Sequence, residues 1–222
     1  MSMSDQTSSR PKLIALDGGT GYHKATFDDP KIAAHIDDVI YIRDFNDDDL
    51  IGASALLIPC RTPPEVVVPH KDRILGFLDR GGMVVAMGDT GQDQWLPDVS
   101  LTPVETNFWW WLEPGADLGL EIAAPDHAMF ADMGKSDVSW HLHGLFDVPE
   151  GARSLVDYKD GRSVLYEDTQ NFAGHLVVTS LDPMYHHGAY FMPATTRFLY
   201  GFMPWIRQTL DAKGHLVSPK RV

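Results

Sequence analysis

Short runs of apolar residues, separated by polar and glycine-rich stretches, organise the first 92 positions of the chain. Lys12 to Leu16 (KLIAL), Val39 to Ile42 (VIYI), Ala55 to Ile58 (ALLI) and Met83 to Met87 (MVVAM) do not alternate with polar residues, the pattern of strands buried on both faces. Between them the period changes. Residues 69–80 place Ile74, Leu75, Phe77 and Leu78 on one helical face and end at Gly81-Gly82. Ile32 to Ile36 predicts a short helix. Asp47-Asp48-Asp49 predicts a helical turn, since acidic residues suit a helix N-terminus. Residues 61–65, with two prolines, read as a loop. Strand, helix, strand, helical turn, strand, helix, strand predicts an α/β, flavodoxin-like fold. Its sheet is mainly parallel and covered by helices on both faces, and ligands on such sheets bind beyond the carboxyl ends of the strands.

The second half is less regular and adds extra strands. Thr106 to Leu112 (TNFWWWL) reads as a strand in which three tryptophans alternate sides. Leu118 to Ile122 is a further strand, and Val138 to His143 and Gly144 to Phe146 are strands around a bend. Ser154 to Tyr158 and Ser163 to Tyr166 form a hairpin, because Asp160-Gly161 is a strong turn signal. Leu176 to Leu181 is another strand. Thr195 to Leu210 is the last helix, bent or restarted at Pro204. The organisation expected is a disordered tail over residues 1–11, one α/β domain over 12–213 and a C-terminal tail over 214–222.

Composition narrows the function classes. At 222 residues a chain buries about 70% of its unfolded surface and needs no staples. Its 44% hydrophobic and 22% charged residues are those of an ordinary globular protein. The net charge of −13, with no basic cluster to offset it, argues against nucleic acid as a partner. No run reaches the roughly 20 apolar residues of a membrane span. The single cysteine, Cys60, allows no internal disulfide, which fits a reducing, cytoplasmic setting.

The stretch Ala55 to Gln92, ALLIPC followed by a proline loop and HKDRILGFLDRGGMVVAMG, resembles the class I glutamine amidotransferase-like fold. In that family a strand enters a turn of the form G-x-C-x-G that exposes a nucleophilic cysteine, and a histidine follows a late strand before the last helix. The matching stretches here are Gly88-Asp89-Thr90-Gly91-Gln92, without a cysteine, and Leu176 to Pro183, where Asp182-Pro183 replaces the histidine pair. The resemblance therefore implies the fold without glutaminase activity, which needs thiolate and base together. Thr90 is a far weaker nucleophile without a base. The layout is similar to branches that lack the cysteine: the ThuA-like trehalose-utilisation family and the trimerisation domains of some β-galactosidases. Carbohydrate enters as a ligand class through that resemblance alone.

Several clusters could carry chemistry. His141 and His143 sit two apart, so on a strand they share a face. Together with His186 or His187 and Asp182 they could hold a divalent metal, zinc or manganese, or simply hydrogen-bond the loops. Asp17-Gly18-Gly19-Thr20-Gly21 reads as a tight turn, as the rim of a pocket faced by Asp17, Thr20 and His23, or as an anion-cradling loop. It also looks like the D-x-G-T motif of actin-like sugar kinases, which need two such domains. Trp109, Trp110 and Trp111 could be core, a stacking platform for a sugar or an oligomer contact. Cys60 is a buried thiol, or a nucleophile if His23 reaches it. The ligand pocket expected from these residues comprises Asp17, Thr20, His23, Asp89, Thr90, Trp110, His141, His143, Asp182 and His186. Three readings follow: an amidotransferase-like domain that binds a small polar molecule, an assembly domain forming a homo-oligomer, and a metal-dependent hydrolase.

Overall fold

The computed structural model describes residues 10–105 and 109–213. In chain order its strands are β1 (Lys12–Asp17), β2 (Asp38–Tyr41), β3 (Ala53–Ile58), β4 (Met83–Ala86), β5 (Ser100–Pro103), β6 (Leu120–Ile122), β7 (Gly144–Asp147), β8 (Arg153–Tyr158), β9 (Ser163–Asp168) and β10 (His175–Thr179). The α-helices are α1 (Gly21–Phe27), α2 (Pro30–Ala33), α3 (Pro64–Val67), α4 (Lys71–Asp79), α5 (Gln92–Trp95), α6 (Lys135–Val138), α7 (Pro183–Gly188) and α8 (Pro193–Lys213).

The apolar runs become a parallel array in the order β2-β1-β3-β4-β10. Because neighbouring side chains on a strand point to opposite faces, each central run feeds two cores, whereas the edge strand β2, expected to be buried on both faces, leaves Val39 and Tyr41 exposed. Leu13 and Ala15 of β1 pack with Phe27, Ile32, Phe198 and Phe202 under α1, α2 and α8. Ile14 and Leu16 pack on the other face with Val67, Ile74, Phe77 and Trp95 under α3, α4 and α5. This is the mainly parallel, doubly covered α/β sheet that the periodicity predicts. The extra strands extend it antiparallel: β9 pairs with β10 and then serves both β8, with β6 beyond, and β7, with β5 beyond.

Local differences from the sequence reading have local causes. Helix α1 begins directly after the glycine-rich turn, because the Thr20 hydroxyl accepts the His23 backbone N–H at 3.4 Å and caps it. Pro64 opens α3 inside the supposed loop, a position where proline's fixed φ suits a helix start. Val138 closes helix α6 instead of starting a strand. Trp110–Leu112 is one 3-10 turn, so strand alternation does not govern the tryptophans, and residues 106–108 lie outside the described residues. Pro204 sits inside α8 without ending it. The expected tails fall largely outside the described residues, although Arg10 donates to the Ala34 carbonyl at 2.9 Å. No helix among the described residues is long and apolar enough to cross a membrane.

What positions the site is the stitching of loops at the carboxyl edge. The Gly88 N–H donates to the Leu181 carbonyl, and the Arg61 N–H donates to the Gly88 carbonyl, both at 2.9 Å. A Cβ at Gly88 would lie 2.4 Å from the Ser180 carbonyl oxygen, so only glycine permits this approach. Leu142 bridges to Leu181, and the His143 N–H donates to the Ser180 carbonyl at 3.1 Å. Residues after β3, after β4, before β7 and after β10 thereby meet at one place.

Candidate functional site: a buried carboxylate under three imidazoles

Asp182, immediately after β10, is fully buried and forms the centre of the site. One oxygen, Oδ2, accepts from Arg61 Nε at 2.8 Å and from His143 Nε2 at 3.0 Å. The other, Oδ1, lies 2.9 Å from His186 Nε2, one turn along α7. That last contact has ion-pair distance without hydrogen-bond alignment; neither ring nitrogen of His186 makes an aligned hydrogen bond among the described residues. Burial alone would raise the Asp182 carboxyl, but the two histidines outweigh it and hold it well below the usual carboxylate range. Asp182 is therefore ionised at neutral pH.

His141 and His143 flank an isolated bridge at Leu142 rather than lying on the expected strand, and their ring centroids are 4.6 Å apart. His141 is buried, and burial pushes its pKa down to about 4 against the attraction of Asp182, with His143, His186 and Arg61 adding to the drop. Its imidazole is neutral at physiological pH. His143 reaches solvent, and its Nδ1 faces the exposed Asp89 carboxylate at 3.9 Å. Asp89 and Arg61 both have φ of 58°, in the left-handed region that costs a non-glycine residue roughly 1 kcal/mol. These two residues follow adjacent strands, and both contact His143 or its partner Asp182.

Arg61 was not foreseen from the sequence. Its guanidinium lies over the Tyr185 ring at 3.7 Å while holding Asp182. The available signal was modest: a charged residue directly after a buried strand end in a fold whose ligands bind there.

The residues of the first loop act behind this cluster. Asp17 Oδ1 accepts the Gly19 N–H at 2.8 Å, and Thr20 caps α1. His23 is fully buried; its Nδ1 accepts the Gly18 N–H and its Nε2 donates to the Cys60 carbonyl at 2.8 Å. It therefore holds the backbone before Arg61, and the Tyr22 hydroxyl donates to the Arg61 carbonyl at 3.4 Å. The Cys60 thiol accepts the Tyr185 N–H at 3.3 Å, and burial, with Asp182 adding to it, pushes it far up. It is the inert alternative of the two readings of this cysteine. The Thr90 hydroxyl is buried and donates to the Met87 carbonyl.

His186 joins the polar cluster to an aromatic cavity of about 630 Å³, walled by Trp109, Trp110, Trp140, Phe191 and Met192, with Arg197 also lining it. Its ring meets Phe191 at 4.6 Å and Trp140 at 6.1 Å, edge to face in both cases. Of the ten expected pocket residues, Asp89, His141, His143, Asp182 and His186 gather directly, and Trp110 joins through this cavity. Asp17, Thr20, His23 and Thr90 shape the loops around them.

No protein-family model matches the chain, and no curated protein matches it in sequence. Solved structures share its fold at low identity. A glutamine amidotransferase from Thermotoga maritima superposes with a TM-score of 0.57 at 9% identity, over 94% of this chain and 99% of that one. A candidate GMP synthase component from Thermoplasma acidophilum gives 0.57 at 11%, over 90% and 97%. A ThuA-like protein from Bacteroides uniformis gives 0.53 at 8%, over 96% and 97%. These place the chain in the flavodoxin-like, amidotransferase-type fold that its sequence resembles.

Proposed function

We propose that this chain is an amidotransferase-type domain without glutaminase activity that binds a small polar ligand, with carbohydrate as the favoured class, at the carboxyl edge of its sheet. The observation that carries the reading is the aromatic cavity with His186 in its wall and the Asp182 cluster directly behind. Aromatic faces stack on the C–H faces of sugar rings, while hydroxyls need polar partners at the cavity end. His186 and Arg197 supply those partners, although Arg197 is already held by Asp137 at 2.6 Å. The loss of glutaminase activity rests on the single thiol: Cys60 is buried and unionised, so no thiolate is available as nucleophile.

Tryptophan fluorescence and thermal-shift titration against a panel of mono- and disaccharides and keto-sugars tests the reading. A saturable change in emission, weakened by Trp110→Ala, is expected, together with a rise in melting temperature by mass action. A panel that leaves both signals flat refutes the carbohydrate reading.

A second reading, assembly, is favoured by one observation. Trp109, Leu112, Tyr190 and Phe191 are all exposed, and Trp109 and Phe191 line the cavity. Large apolar side chains in one area mark interaction surfaces as well as ligand mouths. Light scattering across a concentration series separates the two: self-association lost in Trp109→Ser with Phe191→Ser supports assembly, and a monomer at all concentrations removes the homo-oligomer.

A further inference from the structure

We propose that His141, His143, His186 and Asp182 form a binding site for one first-row divalent metal ion, zinc foremost. The inference is independent of what fills the aromatic cavity, although the two sites share His186.

Four observations on the geometry carry it. One ligand atom from each of His141, His143 and Asp182 lies within 4.8 Å of the others, close enough for small rotamer changes to bring all three onto one ion. His143 Nε2 and His186 Nε2 stand 3.0 and 2.9 Å from the two oxygens of the same carboxylate. Metal bonds of about 2.0–2.2 Å at ordinary coordination angles put neighbouring donor atoms roughly 3.0–3.5 Å apart, so this spacing is already that of a coordination edge. His186 is 2% exposed, yet its ring nitrogens and Asp182 Oδ1 make no aligned hydrogen bond among the described residues. Buried polar side-chain atoms in native proteins mostly find such partners. Here the ring is aimed at the carboxylate without donating properly to it, the arrangement of a ligand set around a shared centre.

The surroundings fit the same role. Arg61 Nε holds Asp182 Oδ2 from behind, and ligating carboxylates are commonly fixed by an outer hydrogen bond of this kind. Asp89 is exposed on the side where His143 meets solvent, and provides an entry path for an ion. Three imidazoles and one carboxylate suit zinc, iron, nickel or copper, and disfavour magnesium and calcium, which take oxygen donors.

The test uses the full chain without a histidine tag, stripped with chelator and titrated with zinc chloride by calorimetry, with elemental analysis after desalting. One zinc retained per chain is expected. His141→Ala with His143→Ala should weaken it at least about ten-fold, the usual cost of disturbing a metal's ligands or their support. His127→Ala with His175→Ala, at the far end of the sheet, should leave it unchanged. Circular dichroism confirms that each variant is folded; if the double alanine variant is not, His143→Gln replaces it. Cobalt loading adds a ligand-field absorption that must change in the site variants. No zinc retained by the wild-type chain, or equal retention by wild type and site variants, overturns the proposal. Neither result bears on sugar binding, which is read by tryptophan emission.

Discussion

Two carboxylates sit at opposite ends of the sheet, Asp182 fully buried and Glu167 half-buried, and each lies between two imidazoles. At the carboxyl edge Asp182 meets His143, His186 and Arg61. At the amino edge Glu167 lies 2.9 Å from His175 Nε2 and 3.3 Å from His127 Nε2, with Lys213 Nζ 3.1 Å from His175 Nδ1. The amino-edge group is saturated. His127 Nδ1 accepts the Met129 N–H, His175 Nδ1 faces Lys213, and Trp205 closes over both rings. Every nitrogen of these two rings is engaged within the fold. At the carboxyl edge His186 is misaligned, the outer nitrogen of His143 points towards exposed Asp89 at 3.9 Å, and two residues carry left-handed backbone. The same residue types thus make a closed clamp at one end and an incompletely hydrogen-bonded cluster at the other. What separates them is whether the last hydrogen bond is closed inside the protein.

The contrast can be broken by mutation, and the largest effect is expected at the clamp. Glu167→Ala leaves two imidazole N–H groups without their common partner and should cost about 3 kcal/mol in urea unfolding. Asp182→Asn should cost less, about 1–2 kcal/mol, because Arg61 can turn to water, yet it should abolish zinc retention. Equal losses in the two variants would mean that both ends are structural.

Acid titration sharpens the comparison. Burial would raise Glu167, but hydrogen bonds from His127 and His175 outweigh it and hold the carboxyl well below the usual range. Its contribution is thus present above the ordinary glutamate pKa of about 4.3 and lost as pH falls below it. Burial lowers His23 despite its bonds to Cys60 and Asp17. A histidine held neutral in the fold stabilises above its ordinary value of about 6.5, and that stability declines as pH falls further. Unfolding free energy should therefore drop in two stages on acidification. His23→Gln should shrink the upper stage and Glu167→Ala the lower, with His141 and Asp182 among the groups that supply the remainder; an upper stage undiminished in His23→Gln would refute the assignment.

The smallest effect is expected at Cys60. Cys60→Ala should cost about 1 kcal/mol or less and leave zinc and sugar titrations unchanged, and the native thiol should resist alkylation at pH 8 that labels the unfolded chain. Rapid labelling of the folded protein would restore the nucleophile reading.

Much of this was legible in the residues. The unalternating runs at Lys12, Ala55, Met83 and Leu176 became parallel strands, because burial on both faces leaves no polar position to blur the signal; the similar run at Val39 became the parallel edge strand β2, whose Val39 and Tyr41 are exposed. His141 and His143 come together without the strand that their spacing suggested, on either side of a single bridge at Leu142. In the first loop only His23 is buried; Asp17 accepts the Gly19 N–H and Thr20 caps α1, contacts that residue identity alone did not reveal. The tryptophan segment also misled, since a single 3-10 turn at Trp110–Leu112 has no strand period. Arg61 escaped notice because its importance comes from a positive φ and from Asp182, 121 positions away.

Sequence by itself therefore determined the layered architecture, the edge at which chemistry gathers and the presence of a single thiol among its reactive groups, since these depend on periodicity, chain direction and residue identity. Only the tertiary structure decided which imidazoles share a carboxylate, which of two similar clusters is closed, and that an aromatic cavity opens beside one of them. Those outcomes turn on contacts between loops distant along the chain, where a close backbone approach and one glycine at position 88 set the geometry.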